Sequence, residues 1–211
     1  KPFFTAFMTG SDHGPYFIPD YFKPRNEKIE DQAVEFADWS LRKFIESCAQ
    51  KEWFESTLFV FVADHGKPIN ARYTIPINFC HTPLLFFAPK MIDSNKIYAK
   101  PANQMDAYPT TMAILNLPYL KNNLGVNLLS ESRPYAIFNY DDRIGVIDEE
   151  YLLVLRKSGE RELFLYNNPE VKNIIEQHPE RVKKMQDYAY ANMQVYQELL
   201  KSKKLFAEDL D

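Results

Sequence analysis

The segment Phe59-Val60-Phe61-Val62-Ala63-Asp64-His65-Gly66 constrains this chain more than any other. An apolar, β-favouring run stops at an adjacent Asp and His followed by Gly, which is how the sheet of an α/β fold delivers metal ligands past the carboxyl end of a strand. Within a strand, neighbouring side chains point to opposite faces, so Asp64 and His65 can share one ion only beyond the strand end. Gly66 permits a sharp exit there. A carboxylate and an imidazole suit Zn²⁺ or Mn²⁺ better than a thiolate-preferring metal, with Mg²⁺ or Ca²⁺ as alternatives. The same residues also read as a strand end with an Asp turn and a surface His, and the dipeptide alone does not separate the two.

The flanking pattern places this segment in a larger design. From Ile29 to about Gln50, apolar residues recur at Val34, Ala37, Leu41, Phe44 and Ile45, a helical spacing that predicts an amphipathic crossover helix. Residues 3–9 read as a strand ending at Thr9-Gly10, and residues 10–27 as a loop with Pro15, Pro19 and Pro24 that carries Asp12 and His13. Strand 3–9, the helix and a strand at 57–62 therefore predict a parallel βαβ unit. Residues 83–88 form another apolar run, closed by Pro89, and Met105 to Leu115 reads as a helix with Pro109 in its first turn.

Further on, residues 134–140, 151–156 and 161–166 are strand-like, with Asp141-Asp142-Arg143-Ile144-Gly145 as a turn, so antiparallel hairpins are expected. From Pro179 to about Lys204 a long helix sets Val182, Met185, Tyr188, Ala189, Met193, Tyr196 and Leu199-Leu200 on one face. The expected class is α/β: a mostly parallel central sheet flanked by helices, with a C-terminal antiparallel extension and a long terminal helix.

With 211 residues the chain can bury a sizeable core, and one large domain is the default. A net charge of −4, from 25 Lys+Arg against 29 Asp+Glu, carries no nucleic-acid footprint. The 16 Phe and 13 Tyr fit core packing better than a sugar-facing surface. Cys48 and Cys80 match no metal or redox spacing and read as two buried free thiols. No segment has the length of a membrane span. Because Lys1-Pro2 leads at once into an expected core strand, the chain is expected to be part of a longer domain.

Five segments in order resemble the alkaline phosphatase/sulfatase superfamily, in particular its lipoteichoic-acid-synthase-like phosphoglycerol transferases. Asp64-His65-Gly66 after an apolar strand resembles the Asp-His metal pair of that family. Phe7-Met8-Thr9-Gly10-Ser11-Asp12-His13-Gly14-Pro15-Tyr16 resembles its "T-x-S-x-H-x-P-F/Y" segment, whose His contacts substrate. His81-Thr82-Pro83-Leu84-Leu85-Phe86-Phe87-Ala88-Pro89 is similar to the "I-P-L-L-I-x-x-P" strand. Gln104-Met105-Asp106-Ala107-Tyr108-Pro109-Thr110-Thr111 is similar to the "Q-x-D-x-x-P-T" helix start, with Gly125-Val126-Asn127-Leu128-Leu129 as its "G-x-x-L-L" sequel. Glu162 to Glu170 resembles the "E-L-Y-D-L-x-x-D-P-x-E" ending of sulfatases, with Asn168 where Asp is usual.

The resemblance implies that residues 1–211 are the C-terminal part of one sulfatase-like catalytic domain. The nucleophile is expected upstream, because Thr5 and Thr9 sit in or at the end of an expected strand rather than at a helix start. The implied activity is a metal-dependent phosphoryl (phosphoglycerol) transferase or phosphodiesterase acting on anionic phospholipid- or glycan-derived substrates of the cell envelope. Its parent would be anchored in the cell membrane, with the domain facing outward. Asp64 and His65 would supply two metal ligands, and the missing N-terminal half the others. His13 would hydrogen-bond a phosphate oxygen or protonate the leaving alkoxide.

His81 would line the substrate pocket or orient a ligand, and a strand-start His satisfied by backbone is an equal reading. For Lys67 and Arg72 a solvated loop is preferred to an anion contact, and for Asp106 a helix cap is preferred to a ligand. Two rival functions remain: a sulfatase, and a non-catalytic glycan-binding or scaffold module of the same fold.

Overall fold

The computed structural model describes residues 1–10, 13–69, 71–93 and 95–202, and they fall into two compact units, Lys1–Thr57 and a second beginning at Leu58. In the first unit, helix α1 spans Ile29–Cys48, with Glu30 and Asp31 in its first turn, where the helix dipole favours negative charge. One side of α1 is covered by aromatic rings. Phe22 from the preceding loop lies 5.3 Å from Phe36 and 5.6 Å from Trp39, and Phe36 stacks on Trp39 at 6.0 Å. Arg25 and Asn26 of the same loop donate to the Glu35 carboxylate and fasten the loop to the helix.

The expected strand at 3–9 does not form. Those residues are irregular, and Phe4 and Met8 are almost fully exposed. A strand requires a neighbour for its backbone groups, and residues 3–9 carry no ladder pairing. Ser11 and Asp12 lie outside the described residues.

The second unit opens with β1, Phe59–Val62, at the position expected from its apolar run. It pairs antiparallel with β2, Leu84–Phe87, in a register that sets Phe59 opposite Phe87 and Val62 opposite Leu84. The short helix α2, Ile77–Cys80, lies between them in sequence. The described strands therefore correct the expectation of a mostly parallel sheet. Every pairing among them is antiparallel, and the parallel βαβ unit is not found because its first strand is absent from both ladders.

A 3-10 turn at Gln104–Asp106 leads into α3, Ala107–Ile114, and Asn116 follows it at φ 52°, the left-handed residue that commonly ends a helix. Then comes a four-stranded antiparallel meander: β3 Ala136–Tyr140, β4 Arg143–Ile147, β5 Tyr151–Arg156 and β6 Arg161–Leu165. Helix α4, Pro179–Lys201, closes the described chain. The segment expected as a turn at 141–145 is mostly β4. Only Asp141 and Asp142 turn, Asp141 at φ 52°, and Tyr140 already pairs with Arg143.

Both faces of this sheet are covered, which explains why β5 reads as an unbroken apolar run, Leu152 to Leu155, buried throughout. On one face Val146, Leu153, Leu155 and Leu163 meet Val182, Met185 and Ala189 of α4, three of the residues expected on its apolar stripe. On the other, Leu152, Val154 and Phe164 pack with Ile75, flanked by Tyr73, Ile77 and Cys80. The chain between β1 and β2 is thus part of the second core. Cys48 and Cys80 are free thiols, Cys48 buried and Cys80 partly so. No helix among the described residues is long and apolar enough to cross a membrane.

Candidate functional site

Pairing with β2 continues one residue beyond β1, where Ala63 N–H donates to Pro83 O at 3.4 Å, and then the ladder ends. Asp64 is the first residue free of it. The next constraint is Gly66, whose N–H donates to Phe79 O at 2.7 Å and draws the loop against α2. The approach is so close that a Cβ on Gly66 would lie 2.2 Å from the backbone oxygen of Asn78. Glycine is required here by contact with backbone, not by a positive φ.

Between these two fixed points the Asp-His pair is presented to solvent, with Asp64 90 % and His65 54 % exposed at the side chain. Asp64 Oδ1 accepts the N–H of His65 at 2.8 Å, and that bond is the main reason its carboxyl lies below the usual carboxylate range. Desolvation opposes it, and the charge of His65 adds a smaller lowering. His65 Nδ1 lies 2.9 Å from Gly66 O. A carbonyl only accepts, so Nδ1 carries a proton, and in the neutral ring Nε2 keeps its lone pair.

That lone pair lies 3.7 Å from Asp64 Oδ2. One ion at about 2.0–2.2 Å from each atom spans this separation. So exposed a pair adds little to stability, and its geometry is better explained by what it can bind. Among the described residues, no three His, Cys, Asp or Glu side chains group as a metal cluster; a tetrahedral ion on this pair would need two further ligands.

The His65 ring is held from behind. It stacks on Phe79 at 4.6 Å and 22°, and Phe79 in turn meets Tyr140 of β3 edge-on at 5.5 Å. His81 caps the end of α2 with its N–H on Ile77 O at 2.8 Å, which places it directly after the turn that supports His65, and its side chain is exposed. His13 lies in the first unit, exposed, with Nδ1 2.8 Å from Gly14 O. It therefore presents Nε2 just as His65 does.

Arg72 lies exposed in the loop, and its Nη2 donates to Asn168 O at 2.8 Å and to Pro169 O at 2.7 Å, tying the β1–β2 connection to the chain after β6. Tyr73 Oη adds a bond to Tyr166 O at 3.0 Å. Lys67 stays exposed.

Two residues escaped the sequence reading. Gln104 Nε2 donates to Ala63 O at 2.7 Å and Asp64 O at 2.8 Å, so the 3-10 turn before α3 grips the Asp64 loop. Arg133 is buried against Asp106, donating from Nε at 2.9 Å and also from Nη2. Burial alone would lower the Arg133 guanidinium, yet the hydrogen bond and charge of Asp106 outweigh it and raise its pKa. Asp106 also completes a reciprocal cap with Asn103, so the cap reading holds for the 3-10 turn, while its larger role is the buried ion pair. The available signal for Gln104 was its place two residues before Asp106 in the segment with a recognisable pattern. Arg133 offered none.

Known proteins share both the pattern and the fold. Residues 1–117, which hold His13, Asp64, His65, His81 and Gln104, match the family model described as sulfatase. A protein of the alkaline phosphatase superfamily from Vibrio parahaemolyticus superposes with a TM-score of 0.75 at 20 % identity, over 95 % of this chain and 49 % of its own. A protein of Bacteroides thetaiotaomicron VPI-5482 assigned to the sulfatases gives 0.61 at 15 %, over 87 % and 45 %. A third, solved with its substrate D-glucosamine-2-N,6-O-disulfate, gives 0.57 at 15 %, over 85 % and 42 %. At these identities the likeness establishes the fold, an alkaline-phosphatase-like α/β fold with antiparallel sheets and a C-terminal helix. The chain spans about half the length of each of these structures.

Proposed function

This chain belongs to the sulfatase family, and on that footing we propose that it carries half of a metal-assisted site that transfers or hydrolyses an anionic ester. The observation that supports this most is the Asp64–His65 pair, with Oδ2 and Nε2 3.7 Å apart and exposed at a strand end. The donor set fits a Zn²⁺ or Mn²⁺ ion, which when bound would lower the pKa of a nucleophilic hydroxyl and offset charge on the ester's non-bridging oxygens. Asp64 enters as a carboxylate, and Gly66 O orients the His65 ring through Nδ1, which leaves Nε2 as the atom for the ion. His13 offers Nε2 to hydrogen-bond an ester oxygen or protonate the leaving group. His81, at the end of α2, would line the substrate pocket or orient a ligand. The nucleophile and remaining ligands come from the part of the domain that precedes these residues.

Among such esters we favour phosphodiesters, with phosphoglycerol transfer or cleavage on an envelope lipid or glycan by a membrane-anchored parent, because residues 7–16 follow the transferase pattern around His13. A sulfate ester is the second reading, favoured by the Glu162–Glu170 segment and by the disulfated sugar bound to one structural neighbour.

The test is turnover by the longest natural form of the protein on bis(p-nitrophenyl) phosphate and on p-nitrophenyl sulfate, with Mn²⁺ or Zn²⁺, beside His65→Ala. Metal-dependent phosphodiester cleavage that His65→Ala abolishes is the expected result. Cleavage of the sulfate alone selects the second reading. Activity unchanged in His65→Ala refutes the assignment of the pair, and no turnover on either ester favours a binding module.

A further inference from the structure

We propose that Gln104 is a positioning residue that fixes the backbone of Asp64 and thereby aims the Asp64–His65 pair. The inference rests on the reading of that pair as a metal-binding half-site. Its geometry is specific. The two hydrogens of one side-chain amide reach two consecutive carbonyls, Ala63 O at 2.7 Å and Asp64 O at 2.8 Å. Since both partners only accept, the amide nitrogen must be the end that faces them.

Those carbonyls belong to the peptide planes on either side of the Asp64 Cα. A peptide plane is rigid, and φ and ψ are its only soft connections, so holding both planes fixes both torsions of Asp64 and the direction of its Cβ. The second plane also contains the N–H of His65, the group that Asp64 Oδ1 accepts at 2.8 Å. One clamp therefore sets the carboxylate, its internal hydrogen bond and the start of the His65 residue.

The clamp itself has a rigid base. Asn103 N–H donates to Asp106 Oδ2 at 2.7 Å, Asn103 Nδ2 donates to Ile137 O of β3 at 2.7 Å, and Asp106 is locked to Arg133. Gln104 is exposed at its position and belongs to neither apolar core, so a stabilising role does not explain the pairing.

The test compares the wild-type protein with Gln104→Met, which keeps the length and loses the donors, and Gln104→Glu, which sets a carboxylate against two carbonyls. Three readouts are taken: amide hydrogen exchange of His65 by NMR, titration with Mn²⁺ and Zn²⁺ alone, and the thermal midpoint. We expect exchange at His65 to rise about tenfold in both variants and metal affinity to fall about tenfold, the range seen for outer-shell partners, with a midpoint within about 2 °C of wild type.

Unchanged exchange overturns the proposal, whatever the affinity does, since an affinity loss alone would make Gln104 a ligand. A midpoint loss of roughly 6 °C or more also overturns it, in favour of a general structural role. Raised exchange in a protein whose wild type binds neither metal upholds the clamp and refutes the half-site, so the two failures are distinguishable.

Discussion

Replacing Asp106 with Asn tests whether the site's support is built as described. Asp106 is fully buried, and its carboxylate accepts from Arg133 Nε and Nη2, from Asn103 N–H and from Val126 N–H. Asparagine keeps the shape but has one acceptor oxygen, and its NH₂ would face groups that only donate. Arg133, whose side chain is 4 % exposed, would then hold an uncompensated charge away from water. Removing one partner of such a pair costs about 3–5 kcal/mol, and in a chain of this size each kcal/mol lowers the thermal midpoint by about 2–4 °C. A drop of roughly 10 °C is therefore expected, with urea unfolding giving the free energy directly.

The sign of the pH dependence follows from Arg133. Its raised pKa means its contribution is present below the arginine range and lost only above it, so this group adds no pH dependence to the cost between about pH 6 and 10. The comparator is Asp187→Asn, which breaks the exposed pair with Lys183, where both side chains are more than half exposed, and should leave the thermal midpoint within error of wild type. If Asp106→Asn falls in that same range, the pair is not the anchor argued here.

Gly66→Ala should weaken the fold by about 1–3 kcal/mol in urea titration and expose the Phe79 stack to faster exchange, because the new methyl meets the Asn78 carbonyl. Met185→Ala, at the fully buried centre of the α4 face, should cost about 2–5 kcal/mol in the same assay. Cys48 and Cys80 should both react with Ellman's reagent near pH 8 more slowly than a free cysteine, since burial pushes both thiols up. Rates equal to the free thiol would contradict their placement.

What the sequence disclosed followed the strength of local signals. The extents of α1, β1, β5 and α4 are close to those read from periodicity, because each carries a continuous pattern that its burial satisfies. Strand β4 was lost for a physical reason. Gly145 looked like a turn residue, yet it sits opposite Phe138 in the ladder, and a Cβ there would come within 2.3 Å of that ring. A glycine that makes room for a cross-strand aromatic is indistinguishable, in sequence, from one that bends the chain. The parallel unit failed differently: apolar content in residues 3–9 specified a strand's composition but not a partner, and pairing is a non-local property.

The candidate site shows the same division. Asp64, His65 and Gly66 were legible because strand end, ligand chemistry and exit residue are contiguous. Their supports were not, since Gln104, Phe79, Tyr140 and Arg72 act across separations of up to 97 residues. These supports share one destination. Through Phe79 and Tyr140, Arg72 and Asn168, and Asn103 and Ile137, the loop that carries Asp64 and His65 is fastened to the antiparallel sheet and the chain just after it. That sheet supplies no candidate ligand, yet its second face buries Ile75 and flanks Ile77 and Cys80, the residues around α2 on which His65 rests. A pair of adjacent side chains at the end of a four-residue strand has little rigidity of its own. The C-terminal sheet is therefore best understood as the rigid base of the Asp64–His65 loop, and loosening it from the far side should reach those two residues without touching them.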